Sequence, residues 1–237
     1  MKILFFDIET RPIVAYTWGK YLDGSVVGIK EEWQLLSVSW KWLGERQVYF
    51  QRAENNSDLN LCKIIQTLFT DADVVVAHNG DEFDVKKCRA RFVFHKLPPT
   101  KHIATVDTRK VARRHFAFTS NSLNDLGVFL GIGKKAKHAG FDTWIGCMSG
   151  DKKSWKIMER YNKQDVRLLE KVYKRLRPYM ERHPNIAAIS GKGECPKCGS
   201  SNVAKRGVRG NATGLQQQMH CVSCKGWYLT RFKKEKA

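Results

Sequence analysis

The chain has 237 residues, 42% of them hydrophobic, which is enough for one sizeable domain with or without a small second module. Lysine and arginine outnumber aspartate and glutamate by 42 to 23, and the formal net charge of +19 favours a polyanionic partner, nucleic acid before an acidic membrane surface. Asp7 interrupts the N-terminal apolar run too early for a signal-peptide core, and no apolar stretch approaches membrane-spanning length, so we expect a cytoplasmic or nucleoid-associated protein that is not secreted.

The first apolar run, Ile3-Leu4-Phe5-Phe6, predicts a strand that continues into Asp7-Ile8-Glu9-Thr10. Successive side chains of a strand point to opposite faces, so Asp7 and Glu9 share one face. Two carboxylates this close either raise a pKa or bind a cation. From this segment alone two interpretations stay open, a solvated acidic pair and half of a divalent-metal site.

The pattern of the following residues predicts a mixed sheet with helices. In chain order it indicates a loose hairpin or irregular excursion over 11–32, strands over 33–42 and 47–50, a helix with Ser57 as N-cap, and a strand over 74–77 buried on both faces. Three consecutive antiparallel strands, then a helix and a buried strand, are typical of an α/β fold in which helices cover both faces of a mixed sheet.

The next segment predicts a helix over 83–95 and a strand over 103–106, with Asp107 capping the helix that follows. Residues 109–138 are rich in positive charge around a short helix over 122–130. Because Phe116 and Phe118 lie among these charges, the stretch is either a solvated face or a groove for single-stranded nucleic acid.

A long helix is predicted from Ser154 to about Arg182 by one apolar stripe. The stripe consists of Met158, Tyr161, Asp165, Leu168, Val172, Leu176 and Tyr179. Asp165 is the misfit, since a buried carboxylate without a partner costs several kcal/mol. We therefore expect Asp165 at the edge of the core, paired or metal-bound, and facing the same place as Tyr161.

Three segments together resemble the exonuclease motifs of the DEDD superfamily. They are Asp7-Ile8-Glu9, Asn79-Gly80-Asp81-Glu82-Phe83-Asp84 and Tyr161-Asn162-Lys163-Gln164-Asp165, in that order along the chain. Because the third motif begins with a tyrosine, the set resembles the tyrosine branch of the superfamily, which includes the proofreading domain of family B DNA polymerases. The resemblance covers residues 1 to about 180 and implies a ribonuclease H-like fold.

The resemblance also implies a site in which Asp7, Glu9, Asp84 and Asp165 hold two Mg²⁺ or Mn²⁺ ions and Tyr161 orients the attacking water. The charges agree, because four carboxylates balance two divalent cations and hard cations prefer oxygen ligands. The implied reaction is 3′→5′ hydrolysis of the terminal phosphodiester by a two-metal mechanism. For Tyr161 the alternative is an aromatic side chain that simply packs in the helix face.

Residues near the terminal nucleotide are also implied by the resemblance. They are Thr10, Asn79 and Phe83, with ordinary turn formation as the alternative role of Asn79.

The C-terminal region contains two Cys-x-x-Cys pairs, Cys195/Cys198 and Cys221/Cys224. This spacing predicts a four-thiolate structural zinc site in a zinc ribbon, with free or redox thiols as the alternative. The chain thus divides into an exonuclease domain over 1–183, a linker over 184–193 and a zinc ribbon with a basic tail over 194–237. Trp227, Tyr228 and Phe232 would either stack on nucleic acid or form the ribbon's own core.

The sequence therefore predicts a metal-dependent 3′→5′ exonuclease acting on DNA, and the expected substrate is single-stranded or 3′-ended DNA. The alternatives are an exoribonuclease and a non-catalytic nucleic-acid-binding protein on a nuclease fold. A separate polymerase, helicase or recombination protein is the expected protein partner for a role in DNA replication or repair.

Overall fold

The computed structural model describes residues 1–19, 26–54, 56–137 and 140–231. Strands within these ranges are β1 (Ile3–Arg11), β2 (Val14–Tyr16), β3 (Gly28–Glu31), β4 (Gln34–Trp42), β5 (Tyr49–Arg52), β6 (Val74–Ala77), β7 (Ala104–Asp107), β8 (Val203–Asn211), β9 (Gly214–Cys221) and β10 (Trp227–Arg231). Helices are α1 (Leu59–Asp71), α2 (Asp84–Phe94), α3 (Thr108–His115), α4 (Leu123–Phe129), α5 (Phe141–Met148), α6 (Lys152–Leu176) and α7 (Ile186–Ser190).

The main sheet has five strands in the order β5-β4-β1-β6-β7. β1, β4 and β5 form an antiparallel meander, whereas β6 and β7 run parallel to β1. All four residues of β6 are buried, as expected for a strand covered on both faces. The predicted α/β class, a mixed sheet flanked by helices, is confirmed.

Alternation along β1 builds two cores, one on each face of the sheet. Ile3 and Phe5 join the core formed with α3, α4 and α6, where the Phe5 ring lies edge-on to Tyr173 at 5.3 Å. Leu4 and Phe6 join the core formed with α1 and α2. Because Asp7 continues the first set, its side chain lies on the α6 side of the sheet.

A buried ion-pair network ties α1 and α2 to β4. The Arg91 guanidinium donates to both carboxylate oxygens of Asp58 at 2.7 and 2.8 Å, and Leu35 N–H donates to Oδ2 at 2.9 Å. Asp58, which is fully buried, precedes α1 as its N-cap, so the prediction of Ser57 as N-cap was wrong. The Asp58 side chain is engaged by other elements and does not cap the helix.

The long helix α6 begins and ends earlier than its apolar stripe predicts. Asp151 is its N-cap and accepts from the N–H groups of Lys153 and Ser154, and a 3₁₀ turn over Arg177–Tyr179 follows Leu176. Pro178 cannot continue α-helical hydrogen bonding. Tyr179 is consequently 63% exposed, so its assignment to the buried stripe was wrong. None of the helices in the described ranges is long and apolar enough to cross a membrane.

Residues 184–231 pack against the end of α6. The segment predicted as a linker contains α7, whose first residue, Ile186, is fully buried in the α6 core. β8, β9 and β10 form a separate antiparallel sheet in the order β10-β9-β8. Phe232 and the rest of the basic tail lie outside the described residues.

Candidate active site and cysteine cluster

The end of β1 presents Asp7 and Glu9 to the α6 face of the sheet. Their directly opposite residues on β4 are Ser39 and Ser37, both fully buried and small, which leaves room above the strand. A bulge follows at Glu9/Thr10, where the register with β4 shifts. A bulge at a strand end redirects side chains, and here it lies directly beside the carboxylates.

Helix α6 and helix α2 bring two further carboxylates to the same place. Carboxylate oxygens of Asp7, Glu9 and Asp165 all lie within 4.8 Å of one another. Asp84 is the first residue of α2, and its Oδ1 accepts a hydrogen bond from Ile8 N–H at 3.2 Å, between the two acidic residues of β1. The four predicted carboxylates are thus assembled from three separate elements.

Burial and mutual repulsion make these carboxylates difficult to ionise together. Burial, and then the charges of Asp165, Glu9 and Asp84, raise the pKa of Asp7 well above its usual range. Burial and the Asp165 charge raise the pKa of Glu9 to about 8, and burial raises the pKa of Asp84 to about 7. Such a cluster is stabilised by cations, and its hard oxygen donors suit divalent metal ions.

Lys135 supplies a positive charge inside this cluster. Its Nζ lies 2.7 Å from Asp165 Oδ2 and donates to the Tyr161 hydroxyl at 3.1 Å. Burial alone would lower the pKa of Lys135, but the Asp165 carboxylate raises it above its ordinary value. Sequence analysis placed this lysine only in a basic run, because nothing in its spacing indicates where the loop before α5 carries it.

Asn162 holds Asp7 in place. Its fully buried side-chain amide donates to Asp7 Oδ2 at 2.6 Å and to the Asp7 carbonyl at 3.2 Å, while its own Oδ1 accepts from Ser37 Oγ at 3.2 Å. This residue was missed as a functional residue. The available signal was its position three residues before Asp165, on the same face of the helix.

The residues expected near a terminal nucleotide lie around the carboxylates. Thr10 is half-buried at the β1 bulge, and Phe83 is 38% exposed at the start of α2. Asn79 adopts a positive φ of 67°, and its Oδ1 accepts from Arg109 Nη1 at 3.0 Å. The positive φ agrees with the turn-forming role that sequence analysis gave as the alternative for Asn79.

The turn after β6 is fixed by Asp107 and by Gly80. Asp107 Oδ1 accepts from the N–H groups of Asn79 and Arg109, both at 2.9 Å, so this carboxylate caps α3 as predicted and also ties the turn to β7. A Cβ at Gly80 would lie 2.3 Å from the Ala77 Cβ. Glycine is therefore required where the turn folds back on β6.

The four C-terminal cysteines converge at one point. Their Sγ atoms lie within 4.8 Å of one another, with Cys195 to Cys224 at 3.7 Å and Cys198 to Cys221 at 3.6 Å. These distances are too long for disulfides, and they match the edge of about 3.8 Å expected for a tetrahedron with Zn–S bonds of about 2.3 Å. The donor set and spacing fit one zinc ion.

The backbone at each cysteine pair has the same hydrogen-bonded turn. Gly199 N–H donates to the Cys195 carbonyl at 2.8 Å, and Lys225 N–H donates to the Cys221 carbonyl at 2.9 Å. Gly199 and Lys225 both have positive φ, so each turn has one residue in the left-handed region. The neighbouring Cys224 N–H and thiols outweigh burial and lower the pKa of Cys221 to about 7, which favours a thiolate ligand.

The mixed sheet, with carboxylates gathered at the end of its central strand and on a long covering helix, defines a ribonuclease H-like nuclease fold. A family model described as the RNase_H superfamily matches residues 4–177, and the chain belongs to this superfamily. No significant match is found among curated proteins.

Solved structures with a similar fold include the family B DNA polymerase from the hyperthermophilic archaeon Pyrobaculum calidifontis. The TM-score is 0.56 at 17% sequence identity, and the match covers 75% of this chain and 24% of the polymerase chain. The chain thus corresponds to about a quarter of that polymerase, and at this identity the likeness shows the fold alone. The fold implied by the motif resemblance is confirmed.

Proposed function

We propose that the protein is a metal-dependent 3′→5′ exonuclease that hydrolyses terminal phosphodiesters of DNA. The observation that carries the proposal is the convergence of Asp7, Glu9 and Asp165, whose carboxylate oxygens lie within 4.8 Å of one another. The fold gathers these carboxylates on the α6 face of the sheet although burial and mutual repulsion raise their pKa values. A divalent-metal site explains this arrangement, because bound cations would stabilise the ionised carboxylates.

Asp7, Glu9, Asp84 and Asp165 would hold two Mg²⁺ or Mn²⁺ ions. When bound, the ions supply an activated water nucleophile and stabilise the charge on the leaving oxygen. Asn162 fixes the rotamer of Asp7 by donating to its Oδ2, so that carboxylate is oriented before any ion arrives.

Tyr161 and Lys135 would orient the reacting groups on the α6 side of the site. The Tyr161 hydroxyl, 3.1 Å from Lys135 Nζ, would orient the attacking water. Burial, together with the charges of Asp165 and Glu9, raises the pKa of Tyr161, so the phenol keeps its proton and can donate a hydrogen bond. The Lys135 ammonium would attract and orient the scissile phosphate.

Thr10, Asn79 and Phe83 would contact the terminal nucleotide. Phe83 offers a partly exposed ring beside Asp84, suited to stacking on a base. Thr10 and Asn79 offer a hydroxyl and an amide for the sugar and phosphate.

The cysteine cluster would hold one structural zinc ion and fold the C-terminal sheet into a zinc ribbon. Residues 184–237 contain ten lysine and arginine residues and two acidic residues, so the module stays strongly positive even after four thiolates bind one zinc ion. A positive module of this kind favours nucleic-acid binding.

The test is incubation of the protein with single- and double-stranded DNA and RNA, labelled at either the 3′ or the 5′ end. Mg²⁺, Mn²⁺ and EDTA are compared. We expect mononucleotides released from 3′ ends of DNA in either metal ion and no release in EDTA. Release from 5′ ends, release in EDTA, or hydrolysis of RNA with no hydrolysis of DNA would refute the proposal.

A further inference from the structure

The C-terminal sheet is held firmly on the end of α6. Lys197 is only 5% exposed, and its ammonium donates to the Pro178 carbonyl at 2.5 Å. Ile186 N–H donates to the Pro196 carbonyl at 2.8 Å. The carbonyl of Pro184 can only accept, so His183 Nδ1 carries the proton there and Nε2 accepts from Tyr173 OH at 2.8 Å. These contacts fix the cysteine cluster relative to the catalytic face.

A cleft of about 660 Å³ lies where the two parts meet. The catalytic domain contributes Phe116, Phe118 and Tyr179 to its lining. The second cysteine turn contributes Lys225, and Trp227 at the start of β10 completes this side of the cleft. The structure thus joins two sequence features that were interpreted separately, the basic stretch with Phe116 and Phe118 and the aromatic residues of the ribbon.

A second cleft, of about 580 Å³, lies beside the carboxylates. Its lining includes Asn79, Arg109 and Lys135, and Lys135 also contacts Asp165. The loop between α3 and α4 lines both clefts, with Thr119 and the residues after it at the carboxylate side and Phe116 and Phe118 at the ribbon side.

This loop is anchored at both ends. His78 Nε2 donates to the Asn121 carbonyl at 3.0 Å at the end of β6, and the Phe116 ring lies edge-on to Tyr179 at 5.4 Å below the end of α6. The loop therefore runs from the catalytic edge of the sheet to the cysteine cluster and offers a preformed surface between them.

Charge and aromatic exposure along this surface suit a polynucleotide. Arg109 and Arg113 are exposed in the cleft beside the carboxylates, and Arg175 and Lys225 are exposed in the cleft at the ribbon. No acidic side chain of the described residues lines either cleft. Tyr179 and Trp227 are 63% and 52% exposed, so each leaves ring surface on which a base can stack.

We propose that the α3–α4 loop and the second cysteine turn form one track, along which single-stranded DNA runs from the carboxylates to Tyr179 and Trp227. The track rests on the proposed exonuclease function and deepens it, because it assigns the path of the strand on the 5′ side of the reacting end. The eleven-residue step along α6 from Asp165 to Leu176 corresponds to about 16 Å, or about five stacked nucleotides at about 3.4 Å each.

The test compares hydrolysis of a trinucleotide with that of a single-stranded oligonucleotide of about 20 nucleotides, which exceeds the site size of most single-strand grooves. The variants are Trp227→Ala, Tyr179→Ala and Arg175→Ala. We expect each substitution to raise KM for the long substrate about tenfold, because each removes one stacked base or one phosphate contact. Hydrolysis of the trinucleotide should stay unchanged.

Two matched controls lie on the opposite face of the sheet. Phe94→Ala removes a ring as exposed as that of Tyr179, and Lys63→Ala removes an exposed charge, and both should behave as the wild type does. Trp227→Phe retains a stacking surface and should recover most of the affinity. Zinc content and thermal unfolding establish that the variants are folded.

Binding of the same long oligonucleotide, measured by fluorescence anisotropy in EDTA, separates the track from the exonuclease function. If the wild type hydrolyses nothing, the proposed function fails, yet weaker binding by the three variants would still support the track. Variants that bind and hydrolyse the long substrate as the wild type does, or that lose both substrates equally, would overturn it.

Discussion

Replacing Asn162 tests whether Asp7 is positioned for metal binding by this amide. In Asn162→Leu, Asp7 Oδ2 loses the 2.6 Å hydrogen bond and Ser37 Oγ loses its acceptor, with little change in side-chain volume. A hydrogen bond to an ionised group contributes about 1.5–3 kcal/mol, and loss of a residue that orients a metal ligand typically weakens metal affinity or activity about 10- to 100-fold.

The assay is the rate of hydrolysis as a function of Mg²⁺ concentration. We expect the half-saturating Mg²⁺ concentration to rise about 10- to 100-fold in Asn162→Leu. Ser37→Ala removes only the bond on the far side of the amide and should change this value much less. An isosteric change, Asn162→Asp, places another carboxylate beside Asp7, which raises the pKa of Asp7 further and shifts the activity profile to higher pH. An unchanged Mg²⁺ dependence in both Asn162 variants would refute the reasoning.

Three other properties can be measured directly. In EDTA, the free energy of unfolding should fall as pH rises from about 5 to about 9, because the pKa of Glu9, raised to about 8, makes the folded state bind more protons than the unfolded state in this window. Saturating Mg²⁺ should remove this pH dependence. A free energy of unfolding that rises with pH in EDTA would contradict the prediction. Lys135→Ala should lower kcat by about 100-fold and Lys135→Arg by less, since the charge beside Asp165 is lost only in the first; equal kcat values for alanine variant and wild type would argue against a role in the reaction. Asp58→Ala should cost about 3–5 kcal/mol in denaturant unfolding by leaving Arg91 buried and unpaired, and a cost below about 1 kcal/mol would show that the network is dispensable.

Much of the fold follows from short-range patterns in the sequence. Alternation in β1 places Asp7 and Glu9 on one face whatever the rest of the chain does, and the apolar run Val74–Ala77 could be buried only between two helical layers. The four carboxylates were identified by motif order, and the structure brings them together from β1, α2 and α6.

The parts that were missed depend on contacts between distant segments. Lys135 reaches Asp165 from a loop without periodicity, so its place was not predictable from the residues around it. The Asp58 carboxylate accepts hydrogen bonds from Arg91 on another helix and does not cap α1 with its side chain. Ile186 belongs to the α6 core although its neighbours look like a linker, because the ribbon packs there.

The exposed end of α6 shows how a local signal can be outweighed. The apolar stripe continues to Tyr179, but Pro178 ends the α-helical hydrogen bonding and the 3₁₀ turn rotates the following side chains. Tyr179 then lies on the surface against Phe116, where it lines the cleft at the ribbon. A residue predicted for the core thus becomes a candidate for nucleic-acid contact.

The measurement that tests the central claim most directly is the single-turnover rate of hydrolysis at a DNA 3′ end in Mg²⁺, for Asp165→Asn against the wild type. Removing one charge from the cluster relieves repulsion on Asp7 and Glu9, so the variant should stay folded and unfold no more easily than the wild type in EDTA. We predict a rate more than about 100-fold lower, since loss of a metal ligand exceeds the usual effect of losing an outer-shell residue. A folded variant that hydrolyses DNA at the wild-type rate would contradict the account.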